Sequence, residues 1–193
     1  HVLFRRQRQM CIRDSYDHIG YGDFSSLYDG DREIHNGADD NASGVSIMLN
    51  LAQSLKEVNN YNYLFIAFSG EEHGLFGSSH YAKNPTINLD KVRFMINFDM
   101  VGRLNKEKTL AINGIGTSSY WDQLINNSNT FEFKLKTTES GIGPSDHTSF
   151  YLQDIPSIHF FTGQHEDYHK PSDDVEKINF EGMYEVYSYV EDI

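Results

Sequence analysis

Two adjacent glutamates, Glu71 and Glu72, stand in the segment SGEEHG, directly after the apolar run NYLFIAF. Such a pair can divide the work of hydrolysis: one carboxylate binds a metal ion, while its neighbour faces the metal-bound water and accepts its proton as general base. A solvated Glu-Glu turn is the plainer alternative. Its position weakens that alternative, because in open α/β sheets ligands gather beyond the carboxyl ends of strands. Asp99 closes a second apolar run, VRFMINF, where an acid is awkward to place without a compensating cation or donor, unless it caps a helix or turn. Asp39 and Asp40 in NGADDNASG precede a helical pattern. Helix capping accounts well for Asp40 and Asn41, but one of the three is spare, and an aspartate at a loop bend can bridge two ions with one oxygen to each. His169, in EDYHKPSDD, falls in a turn before Pro171, where a lone histidine is usually only surface. Taken together, Asp39, Glu72, Asp99 and His169 all fall where loops adjoin strand or helix ends, with Glu71 beside them.

The elements that must position these residues alternate along the chain. From Tyr16 onward strand-like and helical runs succeed one another, the pattern of an α/β sheet covered by helices. A helix is expected over 41–58, with Val45, Met48, Leu51, Ala52 and Leu55 on one apolar face. Strands are expected over 62–68, 92–98, 109–115, 131–137 and 155–161. Further helices are expected over about 118–127 and from about 179. The glycine-rich polar loops before Asp39 and around 141–145 are of the kind that builds sites on a rigid sheet.

Composition narrows the function classes. A formal charge of −12 over 193 residues argues against a nucleic-acid partner, because phosphate binding needs the opposite surface balance. No apolar run is long enough to span a bilayer. The length suits one α/β domain. Residues 1–14 stand apart: four arginines against one aspartate give them +3, leaving −15 for the rest. The opening HVLFRRQRQMCIRDS has neither the apolar core of a signal peptide nor the alternation of a strand. It resembles translated adapter sequence from assembled environmental reads. Residues 1–14 are therefore expected to be a foreign segment joined to a single catalytic domain over 15–193 that is truncated at both ends. Cys11 lies in that stretch, and the remainder has no thiol for a disulfide or a metal.

The four segments NGADDNASG, SGEEHGLFGS, NFDMVG and DYHKPSD, in that order and spacing, resemble the zinc aminopeptidases of metallopeptidase clan MH, the bacterial leucyl aminopeptidase and aminopeptidase Y kind. The resemblance runs from Tyr16 through nearly the whole chain. It implies the zinc-dependent exopeptidase fold, a three-layer α/β/α arrangement with a mixed, mostly parallel central sheet. It implies that Asp39 bridges two zinc ions, that Glu72, Asp99 and His169 are further ligands, and that Glu71 is the general base. Tyr168, beside His169, is the candidate donor to the oxyanion, with a packed loop aromatic as the alternative. Ser145, Asp146 and His147 echo a segment near the substrate, and no metal role is given to His147, nor to His73, His80 or His165.

One part of the pattern is missing. The family opens its site with a histidine in a segment like AHYDH, and this chain reads DSYDH, with Ser15 at the ligand position and Asp17 at that of the acid that orients the histidine. A hydroxyl is a poor zinc ligand beside imidazole. One tight zinc is therefore expected here, held by Asp39, Glu72 and His169, against two in a parent with the histidine. The implied partners are peptides with a free N-terminus, and the implied location is secreted or periplasmic. A glutaminyl cyclase of related fold, using one zinc, is the rival enzyme; an inactive zinc-binding domain is the rival without chemistry.

Overall fold

The computed structural model describes residues 9–22, 24–58 and 61–193. The apolar runs pair into one six-stranded sheet: β1 (Gln9–Ser15), β2 (Asn62–Phe68), β3 (Val92–Phe98), β4 (Thr109–Asn113), β5 (Lys134–Thr138) and β6 (Ser157–Phe161). Their order across the sheet is β2-β1-β3-β6-β4-β5. All neighbours run parallel except β4 and β6, which are antiparallel. The sheet is thus mixed and mostly parallel, as expected.

Helices cover both faces. On one, α1 (Gly44–Ser54), α3 (Trp121–Asn127) and α5 (Phe180–Glu191) bury Leu51, Trp121, Ile125, Val186 and Tyr189 against Ile12, Ile96, Ile158 and Phe160. On the other, α2 (Phe76–Lys83) and α4 (His147–Tyr151) set Ala82 and Phe150 against Cys11, Phe68 and Met95. A fully buried side chain of this size contributes roughly 1.5–3 kcal/mol, so the central strands are held from both sides.

That double burial bears on the opening segment, whose sequence showed no strand alternation. Residues 9–15 form β1, paired with β2 along its length and with β3 from Gln9 to Arg13, with Cys11 in one core and Ile12 in the other. A parallel strand buried on both faces has no polar face to alternate with, so the absent alternation was no argument against a strand. Residues 9–14 of the expected foreign segment are thus part of the sheet as described, and residues 1–8 lie outside the described residues.

The helix expected from Asn41 starts at Gly44 instead, because Asp40 (φ −107°, ψ 86°) and Asn41 (φ −136°, ψ 40°) leave the helical region. Asn41 is engaged elsewhere: its Oδ1 accepts from the N–H groups of Gly44 and Met100, and its Nδ2 donates to the Phe98 carbonyl. This ties the start of α1 to the end of β3. Strand β4 stops at Asn113, two residues before the expected end, where Gly114 turns the chain with φ 88°. Among the described residues no helix is long and apolar enough to cross a membrane.

Candidate active site

The chemistry-bearing residues collect past the carboxyl ends of β1, β2 and β3, around a cavity of about 740 Å³. After β2 the chain turns sharply at Gly70 (φ 70°), and the N–H groups of Gly74 and Leu75 both bond the Glu71 carbonyl. The turn is held from outside by Asp17, whose carboxylate accepts the Gly70 N–H at 2.9 and 3.0 Å. Asp17 thus positions the Glu71-Glu72 turn; Ser15, at the place of the missing histidine, is buried and accepts from Asn41 Nδ2 at 3.3 Å.

The two aspartates of ADD part company. Asp39 is completely buried on the far side: its Oδ1 accepts the Gly102 N–H at 2.6 Å and its Oδ2 lies 3.1 Å from His165 Nε2. It does not reach the cavity. Asp40 does, lining it beside Glu71, Glu72, Asp99 and Tyr168. The spare acid is therefore Asp40 and not Asp39, since the irregular turn at 38–43 directs consecutive side chains to opposite sides. Asp173 steadies that turn by accepting the N–H groups of both Asp39 and Asp40.

His169 meets the acids. Its Nε2 lies 3.0 Å from Glu72 Oε2 and 3.4 Å from Asp40 Oδ2. Its Nδ1 lies 2.7 Å from the Ser25 carbonyl, a contact that protonates Nδ1 and leaves Nε2 turned to the carboxylates. Tyr168 stacks on the ring at 3.8 Å. His18, which sequence reasoning passed over as a mere continuation of the YDH match, joins the same cluster, with its Nδ1 3.3 Å from Glu72 Oε1 and 3.8 Å from Asp40 Oδ2. Only its adjacency to Asp17 pointed to it in the sequence.

The electrostatics describe a place deficient in positive charge. Burial raises Asp40, and Glu72 beside it adds to the effect. Burial and then Asp40 hold Asp99 well above the usual carboxylate range. Glu71 is pushed up to about 10 by burial, then by Asp99, Glu72, Asp146 and Asp40. Burial works to raise Glu72, but His169 and His18 bring it down to about 2. Burial works to lower His169, yet Asp40 and Glu72 lift it to about 10. Burial and the surrounding carboxylates also raise Tyr168, which keeps its proton at neutral pH. The donor set suits a divalent cation: the donor atoms of His18, Asp40 and Glu72 lie within 4.8 Å of one another, and His169 Nε2, beside the same carboxylates, makes no hydrogen bond among the described residues.

A mixed sheet sandwiched by helices, with acids and histidines gathered past its parallel strand ends, is the architecture of the zinc exopeptidases. The chain belongs to peptidase family M28, whose profile matches residues 15–192. It is 37% identical over 158 residues to aminopeptidase YwaD of Bacillus subtilis, a match covering 76% of this chain and 34% of that protein. Its fold superimposes on the structure of BSAP, a zinc aminopeptidase from Bacillus subtilis, with a TM-score of 0.80 and 29% identity, over 98% of this chain and 46% of that one. A Zn-dependent exopeptidase from Parabacteroides distasonis shares the fold at a TM-score of 0.79 and 19% identity, over 95% of this chain and 72% of its own. The chain thus spans about a third of the length of YwaD.

Proposed function

We propose that this chain is the catalytic core of a zinc aminopeptidase that hydrolyses the first peptide bond of peptides with a free N-terminus. The observation that carries the reading is the meeting of His169 with Asp40 and Glu72 at the edge of a cavity that those acids line together with Glu71 and Tyr168. Asp40, Glu72 and His169 would hold one tight zinc; Asp40 and Asp99 would form a second, weaker position that Ser15 leaves without an imidazole. A zinc ion there supplies a Lewis acid and lowers the pKa of a bound water from about 15.7 towards about 7.

The chain's own groups do the rest. Glu71 owes much of its raised proton affinity to neighbouring carboxylates, so a dication among them lowers that affinity and makes Glu71 a base. It takes the proton of the attacking water and returns it to the leaving amine. Tyr168, still protonated, donates to the carbonyl oxygen as negative charge develops there. The acids around the cavity hold the substrate's ammonium, which an acetylated terminus lacks.

The test is hydrolysis of leucyl, methionyl and phenylalanyl chromogenic amides with added zinc, with N-acetyl-leucyl amide as control. Cleavage of the free amines alone is expected, stronger in Ser15→His, and reduced by about 10²–10⁴-fold in Glu71→Gln. Tight zinc without cleavage in either the chain or Ser15→His turns the reading to a cyclase or an inactive domain.

A further inference from the structure

We propose that His18 is a direct ligand of the tight zinc, so that this chain sets two imidazoles on one ion without a histidine at position 15. The inference rests on the metal reading above and adds a residue to it.

Geometry is the first ground. Nitrogen and oxygen donors at about 2.0–2.2 Å from one zinc lie no more than about 4.4 Å from one another. The four contacts among His18, Asp40, Glu72 and His169 measure 3.0, 3.3, 3.4 and 3.8 Å, all within that limit, with Glu72 turning Oε2 to His169 and Oε1 to His18. The two rings stand 5.6 Å apart, centre to centre, and nearly perpendicular at 71°, so they approach the carboxylates from different directions.

The second ground is independent of those distances. The His18 side chain is only 7% exposed, yet neither ring nitrogen makes a hydrogen bond among the described residues. A buried imidazole without partners costs about 1–3 kcal/mol per unsatisfied group. Nδ1 sits near Glu72 but not in hydrogen-bond alignment with it, and His169 Nε2 shares this condition. Two nitrogens thus crowd the same pair of carboxylates, and the donor atoms of His18, Asp40 and Glu72 all lie within 4.8 Å of one another.

The ring is also held in place. The Tyr16 N–H bonds the Phe68 carbonyl, Asp17 bonds Gly70, and Ile19 is buried, so the backbone on both sides of His18 is anchored. Gly37 (φ 61°) lets the loop close on the ring, where a Cβ would meet His18 Cγ at 2.9 Å. Two carboxylates balance the charge of a dication, and a fifth coordination position is left for the water.

The experiment is X-ray absorption at the zinc edge on the unaltered chain carrying one equivalent of zinc, with zinc affinity measured by competition on His18→Ala and His18→Gln. Two imidazoles per zinc in the unaltered chain and one in His18→Ala, with affinity lowered more than about 100-fold in both variants, is the expected result. One imidazole in the unaltered chain overturns the proposal, as does a loss of no more than about 10–100-fold in His18→Gln, the range that marks an outer partner of Glu72. The count on the unaltered chain stands even if a variant fails to fold. Absence of any tight zinc sinks the metal reading itself, whereas a single imidazole sinks only the role of His18.

Discussion

Two pairs of histidines flank the same cavity and live in opposite worlds. His18 and His169 face Asp40 and Glu72, and the acids hold His169 up at about 10. His147 and His159 stack face to face at 4.7 Å with an interplanar angle of 19°, and burial drives His147 down to about 4 and His159 well below its ordinary value. The side-chain contact of His159 is an amide, from Asn113 Nδ2 at 3.2 Å. Burial is common to both pairs. The carboxylates make the difference, since desolvation alone yields neutral packing rings and desolvation with fixed negative charge yields donors awaiting a cation.

The sharpest way to break the comparison is to remove one ring from each pair. His169→Ala is expected to weaken zinc by more than the roughly 10–100-fold that loss of an outer-shell partner costs, whereas His159→Phe leaves zinc affinity unchanged within threefold, as measured by chelator competition. Equal losses in both would erase the distinction drawn here.

Acid stability separates the pairs next. Folded His147 stays neutral down to about pH 4, while the unfolded chain takes up that proton near pH 6.5. Between these values the unfolded state binds more protons, so stability is present above about 6.5 and is lost as pH falls towards 4, by on the order of 3 kcal/mol. His147→Leu, which keeps the apolar volume, is expected to flatten the dependence of the urea midpoint on pH across that window. An unchanged slope would mean that the ring is solvated or paired in the folded state.

The smallest effect sharpens the division between the neighbouring aspartates. Asp39→Ala leaves the buried Gly102 N–H without its acceptor, at a cost on the order of 1–3 kcal/mol in unfolding free energy. Zinc stoichiometry is expected to stay the same, in contrast to Asp40→Ala, where metal binding is lost while the fold persists.

Much of this organisation is legible in the sequence because it depends on local pattern. The bounds of β2 and β3 coincide with their apolar runs, and the acids just beyond those runs arrive at the cavity because strand ends in a parallel sheet share one edge. Helix α2 was missed because its apolar content is low and its burial rests on Ser78 and Ala82, small residues that carry little periodic signal. Asp39 and Asp40 were exchanged for a related reason. Capping chemistry is available to both, and only distant partners, Gly102 and His165 for one and Glu72 with the histidines for the other, decide which way each side chain turns.

The sequence by itself determined the succession of β2 to β6 with α1, α3 and α5, the family and the set of chemical groups, since residue type, periodicity and spacing are properties of neighbours along the chain. The tertiary structure alone decided that residues 9–15 lie inside the sheet, that Asp40 faces the cavity and Asp39 turns away, and that His18 comes within 4 Å of Asp40 and Glu72. Those outcomes depend on contacts between residues 22 or more positions apart, whose geometry is set by the packing of strands and loops and is written in no single segment.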